Sequence, residues 1–162
     1  MQKIGENISY MNLKEIIQEE VNNITLEEIY ELSYQFKEDV KYLPAEYKKQ
    51  YRQSVLNVII QRFKTLKNDD KTYPGVVADD DLTKIRELLY DNTDVVTHIL
   101  NIIVVYATYF LKEPVHMTQT VFPGRVHVYK EGSDYYCPVK KYHTSTTKSV
   151  CKYCIAKIPE SN

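Results

Sequence analysis

The segment TDVVTHILNIIVVYATYFLK, running from Thr93 to Lys112, carries apolar side chains around almost the whole circumference of a helix. Such a helix cannot lie at a water-facing surface, so either lipid or the rest of the chain must cover it. Thr97, His98, Asn101 and Thr108 interrupt the segment. No run of about 18 uninterrupted apolar residues is present, which argues against a membrane span. The chain must then supply the wrapping itself. It has only 4 glycines, too few for the turns of an all-β protein, and the wrapping is therefore expected to be helical.

Four amphipathic stretches fit that need. MNLKEIIQEEVN, from Met11, places Leu13, Ile16 and Ile17 on one side of a helix. TLEEIYELSYQFKEDVKYL opens on Thr25 with Glu28 three residues on, the spacing of a capping box, and sets Leu26, Ile29, Tyr30, Leu32 and Phe36 at helical intervals. Pro44 suits a first helical position, and Tyr47, Tyr51, Val55, Val58, Ile59, Phe63 and Leu66 follow along one face. The acidic run with Pro74 and Gly75 reads as a loop ending in a cap before a fourth helix, LTKIRELLYDN. Asp79 to Asp81 are read as that solvated cap rather than as ligands for a hard cation.

The pattern changes near Pro114. Residues 1–113 hold 14 Lys and Arg against 19 Asp and Glu, whereas residues 114–162 hold 7 against 3, so a net charge of −1 conceals a basic C-terminal part. RVHVYK alternates Val126, Val128 and Lys130 with Arg125, His127 and Tyr129. The turn residues EGSD follow, and then YYCPVK, which predicts one β-hairpin with Cys137 on the returning strand. The expected fold is mainly α: a five-helix bundle over residues 1–113 and a small C-terminal β-hairpin metal-binding module over 114–162 packed on it. The opening residues MQKIGENISYMNLKE lack the apolar stretch and cleavage site of a secretion signal, so a cytoplasmic setting is expected.

All 3 cysteines fall within the C-terminal part. Cys151 and Cys154 have the C-x2-C spacing that lets two thiolates face one cation, and Cys137 adds a third sulfur from the hairpin. In a reducing compartment, clustered thiols point to a metal or to redox chemistry before structural disulfides. Tetrahedral zinc needs a fourth ligand, for which the candidates are His116, His127, His143 or a water. His116 is preferred, because it enters the module just after Pro114. His143 sits in a polar loop, His127 alternates away from the apolar side of the hairpin, and His98 belongs to the bundle as a hydrogen-bonded core residue. A thioredoxin-like pair would need a βαβ setting that the chain lacks. An iron–sulfur cluster is the alternative cofactor to zinc, and free, buried thiols are the alternative to any metal.

HMTQTVFPGRVHVYKEGSDYYCPVK, followed by CKYCIAK, resembles the C-terminal signature of an uncharacterised family found mainly in methanogenic archaea. The family pattern has His-Pro, Phe-Pro-Gly-Gly, Tyr-Cys-Pro-Val-Lys and Cys-x-x-Cys-x-Ala. His116, Phe122, Pro123, Gly124, Tyr136, Cys137, Pro138, Val139, Lys140, Cys151, Cys154 and Ala156 fall on it, while Met117 and Arg125 depart from it. The likeness is strong from His116 to Lys157 and general over residues 1–113. It implies a shared module and supports His116 over His143 as the fourth ligand, and it supplies no activity. Phe122, Pro123, Gly124, Tyr136, Lys140, His127 and His143 are expected at the periphery of the site.

Three functions follow from these residues. One is a non-catalytic zinc protein whose metal shapes an interaction surface for an unidentified protein partner, since a segment this small needs help to hold itself together. Another is an enzyme with an open metal position, or a redox or cluster-handling accessory protein, the latter suggested by the family's anaerobic hosts. The last is RNA binding through Arg125, Lys140, Lys141, Lys148 and Lys152 with Tyr135, Tyr136, Tyr142 and Tyr153 as stacking groups; ordinary packing around the metal is the preferred role for those rings. No phosphate-binding glycine loop, Ser-His-Asp order or His-Glu-x-x-His helix is present.

Overall fold

Each of the first four helices begins where the local chemistry provides a cap or a favourable first turn. The computed structural model describes residues 3–39, 42–90, 94–118, 120–122, 124–145 and 149–160, with the backbone alone for 33–39. The Phe36 side chain, Pro123 and Lys148, all singled out above, lie outside the described residues. Helix α1 (Tyr10–Asn23) starts after Ser9, whose hydroxyl accepts from the Asn12 amide at 3.1 Å. Helix α2 (Leu26–Asp39) has the predicted capping box: the Thr25 amide donates to Glu28 Oε2 at 2.7 Å, and the Glu28 amide donates back to Thr25 Oγ1 at 3.3 Å. Helix α3 (Ala45–Lys67) follows Pro44. Helix α4 (Asp79–Tyr90) begins three residues before the sequence reading placed it, because Asp79, Asp80 and Asp81 form its first turn, where carboxylates complement the positive end of the helix dipole.

Helix α5 (Val95–Val105) is capped by Asp94, which accepts from the Thr97 amide at 2.8 Å. It touches each of α1, α2, α3 and α4, as its all-round apolar surface requires. Ile99, Ile102, Ile103, Val104 and Val105 are all at most 2% exposed. Removing each such side chain from water contributes roughly 1.5–3 kcal/mol. No described helix is long and apolar enough to cross a membrane. The apolar segment does not stay α-helical to Lys112. From Tyr106 to Leu111 it widens into a π-helix that Lys112 ends in a left-handed conformation (φ +54°), with the Glu113 amide donating to the Ala107 carbonyl at 2.9 Å.

A polar network under α5 fixes this widened turn. The Asp69 carboxylate accepts from the Tyr106 and Tyr73 hydroxyls, each at 2.7 Å, and from the Lys71 amide at 2.9 Å. The buried Lys14 ammonium donates to the Asp69 carbonyl at 3.0 Å. Burial pushes the Asp69 carboxyl up, but the two hydroxyls, the amide and the Lys14 charge outweigh it and hold the group below its ordinary range. Desolvation and the Asp69 charge push Tyr73 up to about 12 and Tyr106 higher still, so both hydroxyls stay protonated donors.

Beyond Pro114 the chain forms two small hairpins rather than one. Strand β1 (Val121–Phe122) pairs antiparallel with β2 (Val126–His127), and β3 (Tyr129–Glu131) pairs antiparallel with β4 (Asp134–Tyr136). The run RVHVYK breaks at Val128, which is 1% exposed and packs with Phe122, Cys137 and Ala156 in a second, smaller apolar cluster. Gly124 (φ +86°) and Arg125 (φ +60°) supply the left-handed turn that folds β2 back on β1. The last described segment runs parallel to β4: the Lys157 amide donates to the Tyr135 carbonyl at 2.7 Å, and the Cys137 amide donates to the Lys157 carbonyl at 2.9 Å. Contacts with the helices come from the Val121 amide on Ser54 Oγ at 3.2 Å, the Tyr51 ring against Phe122, and the Thr108 hydroxyl on the Tyr153 carbonyl.

Candidate functional site

The three cysteines occupy two turns of the same kind. In Cys137-Pro-Val-Lys140 the Lys140 amide donates to the Cys137 carbonyl at 3.2 Å; in Cys151-Lys-Tyr-Cys154 the Cys154 amide donates to the Cys151 carbonyl at 3.3 Å. The first turn leads into a short 3₁₀ segment (Lys140–Tyr142), and the second is itself 3₁₀ over Val150–Lys152. The parallel pairing of the last segment with β4 brings the two turns together. A third arm, Pro114-Val115-His116, arrives from the π-helix and is anchored by the buried Arg62 of α3. That guanidinium donates to Glu113 Oε2 at 2.6 Å and to the Pro114 carbonyl at 3.0 Å.

One small cavity joins the three arms. It measures about 10 Å³, the size class of a single water or ion. His116, Cys137, Cys151 and Cys154 all line it, together with Lys140 and the apolar Pro114, Val115, Val128, Val150 and Ala156. Among the described residues no carboxylate reaches this wall.

The Val115 amide donates to Cys154 Sγ at 3.4 Å, while Ser149 Oγ accepts from the Cys151 amide at 3.2 Å. The Val139 and Lys140 amides beside Cys137, and the Ser149 hydroxyl beside Cys151, act to lower those thiols. Donors of this kind favour a thiolate and orient its lone pairs. Burial works the other way and pushes the Cys137 and Cys151 thiols up, so without a cation they stay neutral. Burial, with His143 adding to it, pulls His116 down to about 4, leaving a neutral imidazole with lone-pair nitrogen available near pH 7. The edge of the His116 ring meets Phe122, with centroids 5.0 Å apart.

The sulfurs and the imidazole share a cavity but do not form a ready ligand cluster. Among the described residues, no group of three or more His, Cys, Asp or Glu side chains is placed so that it could hold a metal ion as it stands. All three thiols are free, with Cys137 buried and the other two half-buried. Of the expected periphery, Phe122 and Lys140 adjoin the donors, whereas His127, His143 and Gly124 are exposed. Tyr136 stacks on Tyr129 at 5.4 Å, and Lys130 sits over Tyr135 and Lys152 over Tyr153. Tyr153 also reaches the bundle, its hydroxyl donating to Glu87 Oε2 at 3.3 Å. His98 meets Glu20 Oε2 at 3.1 Å, as anticipated.

Sequence reasoning missed Ser149, the Val115 amide and Arg62. Ser149 was hidden in a run of hydroxyl residues, and a backbone donor leaves no sequence signal. Arg62 did leave one: it falls on the same helical stripe as Val55, Val58, Ile59, Phe63 and Leu66, where a charge must find an inward partner.

Fold and site together define a helical bundle that carries a small hairpin segment with three thiols and an imidazole around one cavity. The chain belongs to the family described as uncharacterized protein conserved in archaea (DUF2115), which it matches over residues 9–158. It is similar to a UPF0305 protein of Methanothermobacter thermautotrophicus, with 30% identity over 90% of this chain and 94% of the relative. UPF0305 proteins of Methanocaldococcus jannaschii, at 27% identity over 90% and 93%, and of Methanococcus maripaludis, at 23% over 87% and 91%, are further relatives. The likeness to methanogen proteins thus covers most of the chain, bundle and C-terminal segment together. No solved structure matches.

Proposed function

We propose that the protein binds one zinc ion through Cys137, Cys151, Cys154 and His116, and that the ion closes the C-terminal segment into a surface for a protein partner in the reducing cytoplasm. The observation that carries this reading is that all four residues line a single small cavity, with the Val115 amide donating to Cys154 Sγ. Cysteine has one side-chain rotor, so a thiol on a cavity wall needs only a χ1 change to turn its sulfur inward. Bound zinc would replace the thiol protons and convert neutral buried thiols into thiolates, coupling metal uptake to order in the segment.

The donor set supports zinc over harder cations, because sulfur and imidazole without carboxylate suit a borderline-soft metal. A closed, non-catalytic site is favoured over an open one, since among the described residues the wall carries no carboxylate to move protons. The test is elemental analysis and an absorption spectrum on protein purified without oxygen. The expected result is a colourless protein with one zinc per chain, and a His116→Ala variant that loses zinc to a chelator faster. A brown protein with iron and sulfide, or no retained metal, would overturn the reading. Unchanged retention in His116→Ala would remove His116 from the ligand set.

A further inference from the structure

We propose that Lys140 is the built-in counter-charge of the thiol cavity, standing in the Cys137 turn where the Cys151 turn carries its second cysteine. The inference rests on the zinc reading above and names what that site needs beyond its ligands.

The two turns share the same backbone closure, so Lys140 and Cys154 are equivalent positions: each amide donates to the carbonyl of the cysteine three residues before it. One turn therefore brings two cysteines to the cavity, and the other brings one cysteine and one lysine. The Lys140 side chain does not leave for solvent. It lines the cavity, and its Nζ donates to the Cys154 carbonyl at 2.7 Å and the Ala156 carbonyl at 2.6 Å. It is the one Lys or Arg on that wall among the described residues. Lys157, in the neighbouring strand, has a carboxylate partner, Asp134 Oδ2 at 2.6 Å. Lys140 has none among the described residues, so its charge is left for the thiols.

The charge balance follows. A divalent cation held by three thiolates and a neutral imidazole carries one net negative charge in a wall that is otherwise apolar, and burying that charge unpaired is costly. One ammonium makes the assembly neutral. The same ammonium ties the Cys154–Ala156 backbone to the Cys137 turn, so it fixes both the charge and the distance between the two thiol-bearing arms. Lys140 is a positioning residue: it acts on the metal through the sulfurs and does not ligate.

Charge and clamp separate in a variant series. Zinc affinity is measured by competition with a chromophoric chelator for the native chain and for Lys140→Met, Lys140→Gln and Lys140→Arg, with circular dichroism verifying that each is folded. Glutamine keeps an N–H donor on a shorter side chain but has no charge; arginine keeps donors and charge. The expected outcome is a loss of about 10–100-fold in Lys140→Met and Lys140→Gln, the range typical of outer-sphere partners, with Lys140→Arg close to native. Native affinity in Lys140→Gln would overturn the counter-charge, and so would an equal loss in all three variants. If Lys140→Met fails to fold, the glutamine and arginine pair decides. A native chain that takes up no zinc overturns the site itself, whereas tight native binding with unaltered variants overturns only the role of Lys140.

Discussion

Asp69 shows how much one side chain can organise without belonging to the candidate site. Two tyrosine hydroxyls and an amide converge on its carboxylate, and one of those tyrosines opens the π-helix that leads to His116. A buried hydrogen bond to a charged group contributes about 1.5–3 kcal/mol, so Tyr106→Phe is expected to lower the unfolding free energy by that amount in urea. The pH dependence has a defined sign. The carboxyl lies lower in the folded chain than its ordinary value of 3.8, so its contribution is present above that value and is lost as pH falls through the folded one. Urea midpoints of the native chain should accordingly drop more steeply on acidification toward pH 3 than those of Asp69→Asn. Parallel curves would mean that the network does not select the charged carboxylate. None of this was legible beforehand: Asp69 looked like one more acidic loop residue, because its partners are distant in sequence.

At the scale of elements, legibility followed physical period. The five helices were readable because apolar residues at helical spacing have to share a face, and the Thr25–Glu28 box appears with both of its hydrogen bonds. Two details escaped. The π-helix depends on tertiary partners of Tyr106, and no local pattern marks it. The hairpins divided because Val128 is drawn into a cluster with Cys137 and Ala156, a contact between segments that strand alternation cannot forecast. Helix α5 carries the sharpest prediction at this scale. Ile102 is fully buried in a helix that touches all four others, so Ile102→Ala should cost about 2–5 kcal/mol in chemical denaturation. A loss under about 1 kcal/mol, the scale of one methylene, would show that the bundle does not close around α5 as described.

For the whole molecule, the sequence reading grouped Cys137, Cys151, Cys154 and His116 as donors to one cation, and the fold places these four residues at one small cavity beside packing of its own. Phe122, Val128, Cys137 and Ala156 form a small apolar cluster of their own, and Arg62, Ser54 and Tyr51 tie the C-terminal segment to α3. The segment therefore has some means of holding its shape, and the ion would complete it. Charge tells the same story: an acidic bundle and a basic tail suggested either a nucleic-acid surface or compensation for thiolates, and the position of Lys140 against the cavity gives the second a specific residue. Both views meet at the coordination sphere, which X-ray absorption at the metal edge reads directly on protein purified without oxygen. Three sulfurs at about 2.3 Å and one nitrogen at about 2.0 Å around a single zinc are predicted. A shell of nitrogen and oxygen alone, or no metal to measure, would contradict the account.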